Sequence, residues 1–277
     1  MMMEQHLPVI SILSCGWLGK PLALALQDRG YAVKGARTSA AGVQELQAAG
    51  IDGYQVVLRP SVPEAPASFW DADILVINVP PRNRERGVAA HVAEIEALRT
   101  RLEASRIKKV LFVSSTSVYA GVDGPVTEEN TLMPETPNGM ALREVEQLLM
   151  QSVVFQTTIL RFGGLIGYNR LPNAETLATQ QRNNDAPMNA IHRDDCIRII
   201  CDLIAKDIWG EVFNACASAH PLRYQYYRAA ARALGLDIPE KYASVAPPHK
   251  LVNSDKLKHR LGYTFIYDDP LQVFDGQ

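Results

Sequence analysis

The sequence predicts an α/β protein with a doubly wound, mainly parallel sheet. Three observations carry that prediction. Strand-like and helix-like segments alternate through the first two-thirds of the chain. The runs Ile74-Leu75-Val76-Ile77 and Val110-Leu111-Phe112-Val113 are apolar at every position, as strands covered on both faces must be. Near the start, an apolar run, a small-residue turn and a helical segment follow one another within Pro8–Gly30. Alternation of this kind builds a parallel sheet with helices on either side.

The first strand is expected at Val9–Leu13 and the first helix at Leu18–Gln27, closed by Gly30. Between them lies Ser14-Cys15-Gly16-Trp17-Leu18-Gly19. Gly16 and Gly19 are the last two glycines of a G-x-G-x-x-G fingerprint, and Ser14 stands at the first. Gly16 lets phosphates approach the backbone, and Gly19 lets helix and strand pack closely. Ser14 must make the turn with a side chain attached, which narrows its backbone angles, and its hydroxyl can donate to a phosphate. Pro21 is tolerated because the first helical turn has no intrahelical N–H bonds to lose. Such a turn aims main-chain N–H groups and a helix N-terminus at a pyrophosphate. The plain alternative is an ordinary strand–helix connection.

The second strand, Tyr31–Ala36, runs into Arg37-Thr38-Ser39. NAD-binding versions of this unit carry an acidic residue about 20 positions beyond the turn to hold the ribose hydroxyls. None stands here. An arginine binds a 2′-phosphate through charge-assisted hydrogen bonds, and Thr38 adds a hydroxyl. This favours NADP over NAD, against the alternative of Arg37 as a solvated loop charge. A helix follows at Gly42–Ala49, a third strand at Gln55–Leu58 and a proline-rich loop at Pro60–Pro66. The fourth strand, Ile74–Val79, ends at Asn78-Val79-Pro80-Pro81 beside the glycine turn, which makes Val79 and Pro80 candidate cofactor contacts. Arg82, Arg84 and Arg86 come next. They either grip a substrate phosphate or carboxylate or form a solvated basic loop.

Further elements are expected at Val88–Ser105 (helix), Lys109–Val113 (strand), Met140–Gln151 (helix) and Thr158–Arg161 (strand). After about residue 165 the chain changes character, with Gly163, Gly164 and Gly167 leading into polar, Asn-rich sequence through Asn184. Helices return at Asp195–Ile204 and Tyr224–Leu234, with a strand at Glu211–Ala215 between them. The tail Lys250–Phe265 reads as a short strand, a helix and a second strand.

With 277 residues and 47% hydrophobic content, the chain suits one large domain or two interdigitated ones. A net charge of −2 offers no electrostatic footprint for nucleic acid. No apolar run approaches the roughly 20 residues needed to span a membrane, and Met1–His6 is too short and polar for a secretion signal. Cys15, Cys196, Cys201 and Cys216 form no C-x-x-C pair and read as reduced cysteines of a cytoplasmic core. The histidines lack metal-ligand spacing, so no structural metal is expected.

The strand Val110–Val113 runs into Ser114-Ser115-Thr116-Ser117-Val118-Tyr119. With the glycine turn, Leu160-Arg161-x-Gly-Gly-x-x-Gly167, Ile191-His192-x-Asp-Asp195, Val212-Phe-Asn214 and Leu261-Gly262-Tyr263, the chain resembles the extended short-chain dehydrogenase/reductases, the NAD-dependent epimerase/dehydratase family. The likeness extends over nearly the whole chain. It implies a Rossmann domain at about 1–165, and a smaller substrate region at 166–277 that partly completes the Rossmann sheet. It also implies a nicotinamide dinucleotide, a small-molecule substrate and a Ser/Thr, Tyr-x-x-x-Lys catalytic set. Register then makes Ser115 the catalytic serine, with Ser114 beside it as a cofactor contact. The family's tyrosine position falls on Asn138 and its lysine position on Leu142.

That departure bears on chemistry. A free phenol, with a pKa of about 10, needs a neighbouring cation to work as a base near neutral pH. Asn138 cannot exchange a proton in that way, and Leu142 carries no charge. No tyrosine lies between Ala120 and Gln151 and no lysine between Lys109 and Lys206. Three readings follow: an oxidoreductase using another proton donor, with Tyr119, Tyr168 and His192 as candidates; a non-catalytic NADP-binding sensor or interaction protein; or a protein doing nucleotide chemistry without external proton exchange. The resemblance also allows a homodimer paired through helices. Among the remaining polar residues, Asp194 or Asp195 is expected to cap a helix, and Asn214 and Tyr224, Tyr226 and Tyr227 to be structural. Asp123, Glu128 and Glu129 are expected to face solvent.

Overall fold

The structure is a computed structural model that describes residues 7–80, 88–179, 186–236 and 249–275. The main sheet contains β1 (Ile10–Leu13), β2 (Val33–Arg37), β3 (Asp52–Gln55), β4 (Ile74–Ile77), β5 (Lys109–Ser115), β7 (Gln156–Phe162) and β10 (Val212–Ala215). Its order is β10-β7-β5-β4-β1-β2-β3, with every pairing parallel. The chain winds outward from β1 in one direction, then restarts at β4 and winds outward in the other. The reversal between β1 and β4 opens a crevice at their carboxyl ends, where ligands of such sheets bind.

The apolar runs are buried on both faces. Ile74 and Val76 of β4 join Ile10, Ile12, Leu111, Leu160 and Phe213 against α1 (Gly19–Gln27) and α6 (Arg193–Ala205). Leu75 and Ile77 point the other way, with Val110, Phe112 and Ile159, against α3 (Val88–Glu103) and α4 (Pro137–Met150). Burying each such side chain contributes about 1.5–3 kcal/mol. Ser39 caps α2 (Ala40–Gln47) by accepting from the Gly42 N–H, and Thr136 caps α4 through the Gly139 N–H.

Short elements complete the C-terminal region. β6 (Gly124–Val126) pairs with β11 (Lys250–Val252), and β8 (Gly164–Ile166) with β9 (Ala190–His192). α5 (Ala174–Thr179), α7 (Arg223–Ala233) and α8 (Asp255–Leu261) are the remaining helices. No described helix is long and apolar enough to cross a membrane.

Two sequence expectations are corrected. The third strand is Asp52–Gln55, not Gln55–Leu58. Val56 and Leu58 are apolar because they enter the core from a loop, while Val57 bridges antiparallel to Glu64 and closes the proline-rich loop. The second tail strand does not form. Tyr263 and Phe265 alternate inward like strand residues, but the Asp195 carboxylate takes the N–H groups of Ile266 at 2.7 Å and Tyr267 at 3.1 Å in place of a neighbouring strand.

Candidate active site

The crevice begins at the turn after β1. Ser14 adopts φ 77°, the left-handed region. A Cβ at Gly19 would lie 2.4 Å from the Ser14 carbonyl oxygen, so only glycine lets α1 start this close to β1. Leu18 is buried in the core, and so is Cys15, whose thiol burial pushes up to about 12. The outward face of the turn is therefore main chain plus Trp17. A Cβ at Gly16 would meet nothing nearer than Arg37 Nη1 at 3.9 Å. That open approach fits a pyrophosphate.

A cleft of about 650 Å³ runs on from the turn, and Ser14, Arg37, Thr38, Val79 and Pro80 all line it. Arg37 is held in place: Nη1 donates to the Cys15 carbonyl at 3.1 Å, Nη2 lies 3.6 Å from Glu45 Oε2, and the side chain rests on Gly42. Asn78 fastens the two strand ends by donating from Nδ2 to the Ser14 carbonyl at 3.3 Å. His91 of α3 lines the opposite wall. It is 2% exposed, its Nε2 has no partner, and burial lowers its pKa.

At the end of β5, alternation sends two neighbouring serines to opposite sides. Ser114 faces inward, and its hydroxyl donates to Glu146 Oε1 at 2.6 Å. Its side chain is thus committed to the core, which leaves its main chain for the expected cofactor contact. Ser115 faces the other way, where its Oγ accepts from the Ser117 N–H at 3.2 Å and caps a short 3-10 turn. Behind Ser114, Arg161 grips Glu146 with contacts of 2.6–3.2 Å and donates to Tyr119 Oη at 2.8 Å. Tyr119 donates in turn to Asn214 Oδ1 at 2.6 Å. Burial pushes the Tyr119 phenol up more strongly than Arg161 and Asn214 lower it. Tyr119 is part of a buried scaffold, as is Asn214, and the geometry removes this tyrosine as a proton donor. Glu128 belongs to the same scaffold through Asn214 N–H at 2.7 Å.

Beside the glycine turn, outside the lining of that cleft, a second wall comes from β8 and β9, which end side by side at Ile166 and His192. Tyr168, at φ 54°, is half-exposed and donates to both oxygens of Asp194 at 3.0 and 3.1 Å. His192, rather than Asp194 or Asp195, caps α6, because its Nδ1 accepts the Asp194 N–H at 3.3 Å. The ring proton therefore belongs on Nε2, which packs against Gly167. Burial lowers the His192 pKa despite the nearby carboxylates. Trp17 of the glycine turn meets this wall, its Nε1 donating to Asn169 Oδ1 at 2.7 Å.

These features have counterparts among known proteins. The chain is 33% identical over 266 residues to Protein YeeZ of Escherichia coli (strain K12), covering 95% of this chain and 97% of YeeZ. The chain belongs to the YeeZ family. No protein-family model matches it. Its structure matches, with a TM-score of 0.76 and 27% identity, a Methylobacillus flagellatus protein provisionally assigned as an NAD-dependent epimerase/dehydratase, over 97% of this chain and 96% of that one. It also shares its fold with the Bordetella bronchiseptica enzyme WbmG in complex with NAD and UDP, with a TM-score of 0.77 and 17% identity over 96% and 93% of the two chains. This YeeZ-family protein thus has the α/β fold of the extended short-chain dehydrogenase/reductases, of which some solved examples, WbmG among them, hold NAD.

In this YeeZ-family chain, Asn138 lies exposed in the first turn of α4, while Leu142 is 5% exposed and packed in the core. A lysine nevertheless arrives from the tail. Lys250 Nζ donates to the carbonyls of Thr116 at 2.8 Å and Tyr119 at 3.1 Å, just after Ser115. Sequence reasoning missed Lys250, His91, Asn169 and Arg170, which sit within no local motif, and Arg193, which lies at the unspecified position of Ile191-His192-x-Asp-Asp195. Pro81, Arg82, Arg84, Arg86 and Met1–His6 lie outside the described residues, as does part of the Asn-rich stretch. Among the described residues, no cluster of His, Cys, Asp or Glu has the geometry to hold a metal ion.

Proposed function

We propose that this YeeZ-family protein is an NADP-dependent oxidoreductase acting on a small-molecule substrate, with a proton donor other than the Tyr-x-x-x-Lys pair. The observation that carries the reading is the cleft at the switch point, rimmed by the glycine turn and by a positioned Arg37. Ser14, Gly16, Trp17, Leu18 and Gly19 would hold the pyrophosphate, chiefly through main-chain N–H groups. Arg37 would exchange Glu45 for the 2′-phosphate, with the Thr38 hydroxyl beside it. When bound, the dinucleotide supplies hydride exchange. Ser115 can turn its hydroxyl from a local cap to a substrate oxygen. Tyr168, half-exposed and hydrogen-bonded to a carboxylate just beyond β8, is the phenol best suited to exchange the proton. The four buried free thiols support a cytoplasmic location.

A second reading, a non-catalytic NADP sensor, is favoured by one observation: Leu142 fills core space where the family lysine would serve a tyrosine. Nicotinamide absorbance during turnover of a carbonyl and alcohol panel separates the two. Activity that Tyr168→Phe and Ser115→Ala each reduce supports the enzyme. Tight NADP binding with no turnover supports the sensor. The Arg37→Asp variant tests the cofactor assignment. It should weaken NADPH by about 100-fold, some 2.7 kcal/mol, while sparing NADH; equal losses for both would refute the phosphate role.

A further inference from the structure

Arg170, at the end of the 3-10 turn Tyr168–Arg170, and Arg193, the first residue of α6, converge on the same aromatic surface. The Arg170 guanidinium carbon lies 4.2 Å from the Trp17 ring centre. That of Arg193 lies 5.2 Å from Trp17 and 3.5 Å from Tyr168. A guanidinium held over a ring by its charge still carries N–H donors at its edge. Neither arginine has a carboxylate partner among the described residues, whereas Arg29, Arg59, Arg99, Arg106, Arg161 and Arg260 all do.

Two further details distinguish this pair from ordinary surface arginines. Arg193 Nε is buried with no hydrogen-bond partner, and a buried donor left unpaired calls for an acceptor that the folded chain does not supply. Burial also works against the charge on Arg170, lowering its pKa. Asp194, the nearest carboxylate in sequence, is occupied by the Tyr168 hydroxyl and faces His192. The aromatic floor includes a residue of the glycine turn, so the free N–H edges lie next to the place proposed for the pyrophosphate.

We propose that Arg170 and Arg193, stacked on Trp17 and Tyr168, form an anion site for a phosphoryl group. This rests on the cofactor reading above for its neighbour but not for its chemistry. The phosphoryl group has two sources: the dinucleotide's own pyrophosphate, or a phosphorylated substrate bound beside it. A planar fork of donors suits either, because guanidinium N–H pairs match the spacing of phosphate oxygens.

The test is calorimetry with inorganic pyrophosphate and with NADPH, on the wild-type chain and on an Arg170→Gln/Arg193→Gln double variant. Circular dichroism and thermal melting check that the variant folds, and Arg170→Lys/Arg193→Lys provides a charge-retaining control if it does not. Wild-type protein should bind pyrophosphate, and the double variant should bind it at least about tenfold more weakly. Pyrophosphate that still binds in saturating NADPH assigns the site to a phosphorylated substrate. Competition between the two, with NADPH weakened in the variant, assigns it to the cofactor. Pyrophosphate binding without NADPH binding would keep the anion site and remove the cofactor reading. Unchanged affinities for both ligands in a folded double variant would overturn the proposal, as would a wild-type chain that binds NADPH but no pyrophosphate.

Discussion

Ser14 shows how a single residue balances backbone strain against ligand chemistry. A side chain at φ 77° costs about 1–2 kcal/mol. Glycine would remove that strain while adding about 0.5–1 kcal/mol of unfolded-chain entropy. Ser14→Gly should therefore melt at the same temperature or higher, by no more than about 1 kcal/mol of stability. A clear loss on thermal denaturation would mean that the serine side chain supports the fold. His91 makes a different prediction. Burial holds its pKa below the ordinary 6.5 in the folded state, so the unfolded chain takes up the proton first as pH falls. Its contribution is complete above about pH 7 and declines as pH drops through about 6. Urea midpoints should rise between those values, and His91→Asn should flatten the rise. An unchanged slope in the variant would contradict the assignment.

At the scale of elements, α4 is anchored to the sheet by one buried ion pair. Glu146 is 4% exposed and Arg161 3%. Their union also holds Ser114 of β5 and, through Tyr119, Asn214 of β10. Glu146→Ala would strand a buried guanidinium and should cost about 3–5 kcal/mol in denaturant unfolding; a loss below about 1 kcal/mol would show that water replaces the carboxylate easily. The main helices and central strands were legible because their apolar spacing records two buried faces. β6, β8 and β9 were not, since three residues carry too little pattern to read, whereas β11 opens the tail where a short strand was expected. Val56 and Leu58 misled for a related reason: core-directed loop residues look like strand residues when only hydrophobicity is visible. The Asp195 carboxylate concealed the true course of the tail, because a side chain can satisfy main-chain N–H groups as well as a strand can.

On the scale of the whole molecule, the two surfaces beside the glycine turn differ in how openly the sequence declares them. Ser14 through Gly19 and Arg37 lie within one strand–helix–strand unit, so spacing alone announces them. The second surface joins Trp17 to Asn169, Arg170 and Arg193 across a sequence gap of 152 positions between the first pair. Only the tertiary fold, with β8 and β9 ending together in a two-stranded sheet of their own, brings them together. The same topology moves Lys250 beside Thr116 although neither neighbourhood hints at the other. Sequence thus declares the glycine turn and Arg37 openly and conceals the surface at the ends of β8 and β9, because the latter is assembled entirely from distant segments. Titration calorimetry of the wild-type chain with NADPH and NADH tests the account most directly. It predicts saturable binding of both, with NADPH tighter by at least about tenfold; a chain that binds neither coenzyme would contradict it.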